Sequence, residues 1–292
     1  MSKSIANLLF LIATIGWGSS YLFTKFAVNE LEPFTLVAIR FGIAFCIAFS
    51  VFYRRLIHIS KETLGASLIL GGLMCTMFTM FNHVLKTVDP STAGFLLATT
   101  VIFVPLLIMI MTRKLPPYTI IIGGIVTMVG LTLFMFDGGM TINRGVLLSI
   151  LTAIMFAIHL VVNNFFVKKY DALQLGVFQL GFASVIGGIC MIGFESVSGP
   201  QSTLGWISIS VLAVICSAFG FVVQSVVQKY TSAVETSFIL ALEPIFSALF
   251  AFIVLGEALE GKEWLGAFVI FSGVLIASYQ RKEKPVIHSS SQ

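Results

Sequence analysis

A chain of 292 residues with 58% hydrophobic and only 10% charged residues cannot enclose itself in a water-facing shell, because soluble domains carry about 25% charged side chains. Its mean hydropathy of +1.02 points to a bilayer, and its net charge of +4 comes with no basic arm and no basic face interleaved with aromatics, so no nucleic acid partner is implied. Cys46, Cys75, Cys190 and Cys216 sit singly in apolar runs, so neither a zinc site nor a disulfide framework is suggested, and no cofactor or metal is expected.

A helix needs about 20 apolar residues to cross the hydrocarbon core. In chain order such runs lie near 5–28, 34–53, 64–85, 91–112, 118–136, 145–167, 173–194, 204–227, 234–256 and 263–280. The first follows Lys3, is too long for a signal h-region and has no small-residue cleavage site, so it reads as a retained span. The breaks carry turn or charge signals: Glu32-Pro33, Arg54-Arg55, Asp89-Pro90, Pro116-Pro117, Asp137-Gly138-Gly139, Lys168-Lys169, Gly199-Pro200 and Glu260-Gly261-Lys262. Backbone groups in lipid must be satisfied within their own segment, so these runs predict an all-α integral membrane protein of ten transmembrane helices. Residues 282–292 read as a polar tail.

Cations fall unevenly between the alternate ends of these spans. One set of ends holds Lys3, Arg54, Arg55, Lys61, Arg113, Lys114, Lys168, Lys169, Lys229, Arg281, Lys282 and Lys284, and the other only Lys25, Lys86, Arg144 and Lys262. The positive-inside rule then predicts a multi-pass protein of the cytoplasmic membrane with both termini cytoplasmic.

The chain also repeats itself. A shift of 139 residues lays Phe26 on Phe165, Val28 on Val167, Leu36 on Leu175, Gly42 on Gly181 and Ala44 on Ala183; a shift of 143 lays Phe95 on Phe238, Ala98 on Ala241, Gly123 on Gly266 and Gly130 on Gly273. Two repeats, 1–140 and 141–281, follow, each with five spans. Five is odd, so the second repeat enters the membrane from the opposite side. The expected fold is two inverted five-helix repeats, an arrangement secondary transporters use to build a substrate site near the midplane.

The stretches "ATIGWGSSYLFTKFAV" and "LVAIRF", then "LALEPIFSALFAFIVLGEAL" and "GAFVIFSGVLI", resemble the opening and close of an EamA-type member of the drug/metabolite transporter superfamily, over residues 5–280. The resemblance implies ten helices in two inverted halves and alternating-access movement of small metabolites, often export of amino acids or related solutes. It also implies a recurrent arginine at Arg40. It names no substrate.

Polar side chains inside spans cost about 2.5–3.5 kcal/mol each at the centre when charged, so those present should face a cavity or a partner. Glu243 falls in mid-span, and Pro244 cannot donate to the carbonyl of Leu240, which opens the helix there. Glu243 is either a proton or cation site or a hydrogen-bonding tether. Trp17, Ser20 and Thr24 share a face of the first span, and their repeat mates Phe156, His159 and Asn163 share a face of the sixth. His159 is either a proton acceptor or a liner. Arg40 is either structural or a clamp for a substrate carboxylate. Asn82, His83, Gln224 and Gln228 can line the same cavity or join helices. The substrate-binding set is therefore Trp17, Ser20, Tyr21, Thr24, Asn82, His159, Asn163, Gln224 and Glu243, with Glu243 and His159 as candidate proton or ion couplers. Gly123, Gly130, Gly266 and Gly273 predict tight packing of the fifth and tenth spans, with each other or across a homodimer.

The chain has no phosphate-binding G-x-x-x-x-G-K-[ST] loop, no H-E-x-x-H and no paired intramembrane aspartates, and "GWGSS" lies in a helix without a histidine–aspartate set. An enzyme is not expected. The function expected is transport of a small amino acid, amine or related amphipathic solute, as an exporter, with an uptake permease and a lipid scramblase as alternatives, and with the protein a monomer or homodimer.

Overall fold

The computed structural model describes residues 1–88, 90–135, 144–255 and 261–278. The predicted tail 282–292, the Asp137-Gly138-Gly139 turn, the Asp89 and Glu260 breaks and the last residues of the fifth, ninth and tenth predicted spans lie outside the described residues. The rest is helix and short turn, with no strand among the described residues. Nine helices there are long and apolar enough to cross a membrane: Lys3–Val28, Pro33–Leu56, Lys61–Thr87, Thr92–Thr112, Arg144–Val167, Ala172–Phe194, Thr203–Gln228, Ala233–Phe250 and Gly261–Ser278. The apolar helix Tyr118–Phe134 is shorter and takes the place of the fifth predicted span. We number the ten in chain order.

Five helices start where the preceding residue's side chain takes up an orphan N–H. Ser2, Ser60, Asp171, Ser202 and Ser232 accept from first-turn amides, and Ser232 with Glu235 closes a reciprocal capping box. Pro33 occupies the first turn of the second span, where its missing N–H costs nothing.

Three spans are interrupted. The first breaks at Ser19 between Lys3–Gly18 and Ser20–Val28, the fourth at Thr99 between Pro90–Ala98 and Thr100–Thr112, and the ninth at Ala241 and Leu242 between Ala233–Leu240 and Glu243–Leu255. The ninth-span break is the opening expected from Pro244, which lands in the first turn of the resuming helix. The eighth span winds as a π-helix over Leu212–Phe219.

The repeat is legible in the packing. Methyl groups built on Gly42 and Gly181 would meet Ser184 and Phe45 respectively. The 139-residue shift exchanges these two contacts with each other. Likewise Gly123 packs on Ala277 and Gly266 on Phe134, while Gly130 packs on Ile270 and Gly273 on Thr127; each pair is exchanged by the shift of 143. In both interfaces residue numbers rise along one helix as they fall along the other, so the second and seventh spans, and the fifth and tenth, meet antiparallel. Equivalent helices of the two halves thus run in opposite directions, as an inverted pair requires. The glycine stripe joins the fifth and tenth spans within one chain.

Helix ends are tied across the halves. At one end the Glu195 carboxylate accepts from the N–H groups of Phe34 and Thr35, both at 2.8 Å, and from the Thr35 hydroxyl at 2.9 Å. At the same end Glu30 accepts from the Ser202 hydroxyl and from the N–H groups of Gln201 (2.8 Å) and Ser202 (3.1 Å). Both carboxylates complete the positive end of a helix dipole. At the opposite end Lys3 pairs with Glu235 at 2.5 Å and Gln174 donates to the Arg55 carbonyl at 2.9 Å, while Lys168 donates to the Lys229 carbonyl at 2.7 Å within the second half. That end also gathers Arg54, Lys61, Arg113, Lys114 and Lys169, and we call it the basic end.

Candidate functional site

A narrow cavity of about 40 Å³ lies between the two halves, lined by Trp17, Ser20, Arg40, Met77, Phe78, Phe81, Leu97, Thr152, Phe156, Phe221 and Glu243. Seven of the ten spans, the first, second, third, fourth, sixth, eighth and ninth, supply its wall. A smaller cavity of about 10 Å³ shares Leu97, Phe156 and Glu243 with it and adds Tyr21, Ala98, Thr100, Ser237, Leu240, Ala241 and Pro244. The breaks in the fourth and ninth spans therefore meet at the floor of one site.

Two charged side chains converge there. Arg40 is 2% exposed; its Nε donates to the Ser217 hydroxyl at 2.7 Å, and its guanidinium carbon stacks 4.6 Å from the Phe78 ring centre and 5.3 Å from that of Phe41. Neither terminal guanidinium nitrogen has a hydrogen-bond partner. A buried guanidinium with two orphan donors is costly to maintain and is a ready fork for a carboxylate or phosphate. Glu243 is 7% exposed and shares the wall of the smaller cavity with Tyr21. The remaining wall is aromatic: Trp17 meets Phe221, and Phe78 meets Phe81 and Phe221, with ring centres 5.2–6.2 Å apart.

The π-helix positions this wall. Widening the turn directs the Cys216 carbonyl to the indole N–H of Trp17 at 2.6 Å, and the Ser217 hydroxyl to Arg40. Gly220 completes the fit, because a methyl group there would lie 2.5 Å from Trp17 Nε1.

The expected site residues divide into two groups. Trp17, Ser20, Arg40 and Glu243 line the cavity and Tyr21 the adjoining one. The others do not reach these walls. His159 Nε2 lies 3.0 Å from Gln179 Oε1, Gln179 donates to Ser225 at 3.1 Å, and Ser225 donates to Asn163 at 3.2 Å. Asn163 in turn donates to Gln228 at 2.5 Å, and Gln228 to Thr236 at 3.1 Å. This lattice joins the sixth to ninth spans on the basic side of the cavity. Gln224 is fully buried nearby with both amide atoms unpartnered, as is the Thr24 hydroxyl. Asn82 donates to the Pro33 carbonyl at 3.1 Å and so fastens the third span to the second. His83, expected toward the cavity, is exposed on the outside of the third span, because Asn82 takes the inward position beside it. Met77, Phe81, Thr152, Phe221 and Ser217 belong to the site without having been picked out by the sequence; apolar residues carry no polar signal in a span, and the π-helix that aims Ser217 has none either.

Comparison with known proteins matches this geometry to a fold. A model of the EamA-like transporter family matches the chain twice, over residues 4–136 and 143–279. Two proteins of Archaeoglobus fulgidus, each described as an uncharacterized transporter, are 25% identical to it; one aligns over 95% of this chain and 87% of its own length, the other over 96% and 100%. A solved crystal structure superposes with a TM-score of 0.79 at 18% identity, over 95% of this chain and 97% of its own, a likeness of fold.

Proposed function

The chain belongs to the EamA-like transporter family, and from that premise we propose that it is a secondary transporter that exports a small amphipathic metabolite carrying both an ammonium and a carboxylate, an amino acid or a close relative. The observation that supports this reading is the pairing of Arg40 and Glu243 in one aromatic cavity. The two free guanidinium nitrogens suit a carboxylate held at two points. The Glu243 carboxylate suits an ammonium, and the Trp17, Phe78, Phe81, Phe156 and Phe221 rings suit an apolar side chain.

Coupling follows from Glu243. One carboxylate cannot hold a proton and neutralise an ammonium at the same time, so proton and substrate compete, and exchange of one for the other moves substrate against its gradient. The breaks at Thr99 and at Ala241–Leu242 supply joints about which the half-helices facing the cavity tilt. The carboxylate ties at one end and the Lys3–Glu235 and Gln174 contacts at the other are the two sets of contacts that alternate. In this reading the basic end is cytoplasmic, with both termini there, and the repeats divide near residues 140 and 141.

Reconstitution tests it. Proteoliposomes containing the protein should take up radiolabelled amino acid when preloaded with the unlabelled compound, and a proton gradient should accelerate release. Phospholipid flipping without solute exchange would replace the proposal with a scramblase.

A further inference from the structure

A second cleft, of about 650 Å³, lies between the fourth and fifth spans, away from Arg40 and Glu243. Its wall is hydrocarbon apart from Thr132, with Pro105 and Met109 on one side and Ile121, Gly124 and Ile125 on the other. The two spans are joined by a short loop yet separate along their length. Gly124 offers no side chain to fill the gap, and a methyl group there would find nothing nearer than 3.9 Å.

One end of the cleft is built differently. Leu115 and Pro116 close it, directly after Arg113 and Lys114. Arg113 adopts a left-handed conformation, φ 55°, and its N–H caps the fourth span on the Met109 carbonyl at 2.8 Å, so the chain turns sharply at the mouth. Both cations are exposed, and neither has an ion pair among the described residues. Lys169, stacked 4.3 Å over Phe165, stands at a neighbouring fissure on the other side of the fourth span.

We propose that this cleft is a binding site for an anionic phospholipid, with an acyl chain along the groove and the phosphate on Arg113 and Lys114. Length supports the assignment. The fifth-span wall runs from Ile120 to Leu133, about 20 Å at 1.5 Å per residue, against about 15 Å for one leaflet of hydrocarbon. The cleft therefore accepts a chain entering from the basic end and reaching past the midplane. Charge supports it too: a pair of exposed cations follows the fourth span at the mouth of an otherwise almost wholly apolar cleft, the arrangement that recognises anionic lipid. A second copy in the same orientation would bring its own basic loop against this one.

The test is native mass spectrometry of the full-length protein released from detergent micelles doped with palmitoyl-oleoyl phosphatidylglycerol or with phosphatidylcholine of the same chains. The wild type should retain one phosphatidylglycerol in preference to phosphatidylcholine. The doubly substituted Arg113→Gln, Lys114→Gln protein should retain it about thirtyfold less, at about fivefold per cation. Gly124→Leu, which fills the groove and leaves the loop, should also lose it, while inorganic phosphate should compete poorly. Equal retention of both lipids, retention unchanged in either variant, or displacement by phosphate at the lipid's own concentration would overturn the assignment. Circular dichroism and elution volume of each variant establish that it is folded.

Discussion

Thr100 and Glu243 stand 143 residues apart, and each is the first residue of a helix that resumes after a break inside a span. The breaks occupy equivalent places in the two halves and line one small cavity. Their chemistry differs. The Thr100 hydroxyl donates to the Leu97 carbonyl at 2.6 Å and lies 3.2 Å from that of Ala153. Glu243 stands with Tyr21 in the smaller cavity and with Arg40 in the larger one. The frame is two-fold and the ionisable group is one-sided.

Replacing Glu243 with Gln keeps the shape and hydrogen-bonding capacity and removes the charge. The variant should fold and exchange substrate down a concentration gradient at about tenfold lower affinity, because the ammonium contact is lost, but an imposed pH difference should no longer drive flux in proteoliposomes. Flux that still follows the pH difference would assign coupling elsewhere.

Arg40→Lys keeps the charge and loses the fork. Hydrogen bonds to charged groups contribute about 1.5–3 kcal/mol, so loss of one point of a two-point contact should weaken substrate binding about 10- to 100-fold, read by isothermal titration in detergent. Arg40→Gln should lose more. An unchanged affinity in both would leave Arg40 a packing residue on Phe78.

Gly273 tolerates no side chain. A methyl group there would lie 2.4 Å from the Thr127 hydroxyl and 2.6 Å from the Thr127 backbone nitrogen. Gly273→Leu should destabilise the chain by more than the 1–3 kcal/mol usual for overpacking, because backbone must move. Gly130→Ala, against the Ile270 nitrogen at 2.5 Å, should act in the same direction, whereas Gly188→Ala meets nothing within 4 Å and should be neutral. Thermal melting of the three variants checks the order.

Glu30 gives the tie at the end opposite the basic one a pH dependence. The Ser202 hydroxyl first, and then the Gln201 and Ser202 amides, hold its carboxyl below the ordinary value of 4.5. The folded value is lowered, so the stabilisation is complete above 4.5 and is lost as pH falls through the lowered value. Melting temperature should therefore drop less in Glu30→Gln than in the wild type as pH is taken from neutral to below 4.5. Equal slopes would remove the tie from the account.

The fold was legible in the sequence because lipid imposes few choices. Run length gave the spans, Pro244 located the break at Leu242, and the glycines at 123, 130, 266 and 273 sit where helices touch. The site was half legible. Arg40 and Glu243 stand out as charges in oil, and Trp17 and Ser20 as their neighbours on the cavity wall. His159, Asn163 and Gln228 carry the same signal, yet they bond Gln179, Ser225 and one another in a side-chain lattice that leaves only His159 Nδ1 without a partner among its ring and amide nitrogens. A polar residue in a span announces that it needs a partner and does not say whether the partner is a ligand or a side chain. The π-helix at 212–219 depends on its fit against Trp17 and Arg40, which no local pattern encodes.

The central claim is that Arg40 and Glu243 hold the two charged ends of one small molecule. Counterflow of radiolabelled leucine into proteoliposomes, competed by leucine, by 3-methylbutylamine and by 4-methylpentanoate, tests it most directly. The account predicts accumulation of leucine and at least about tenfold weaker competition by each analogue, since each forfeits one charged contact. Competition by either singly charged analogue as strong as that of leucine itself would contradict it.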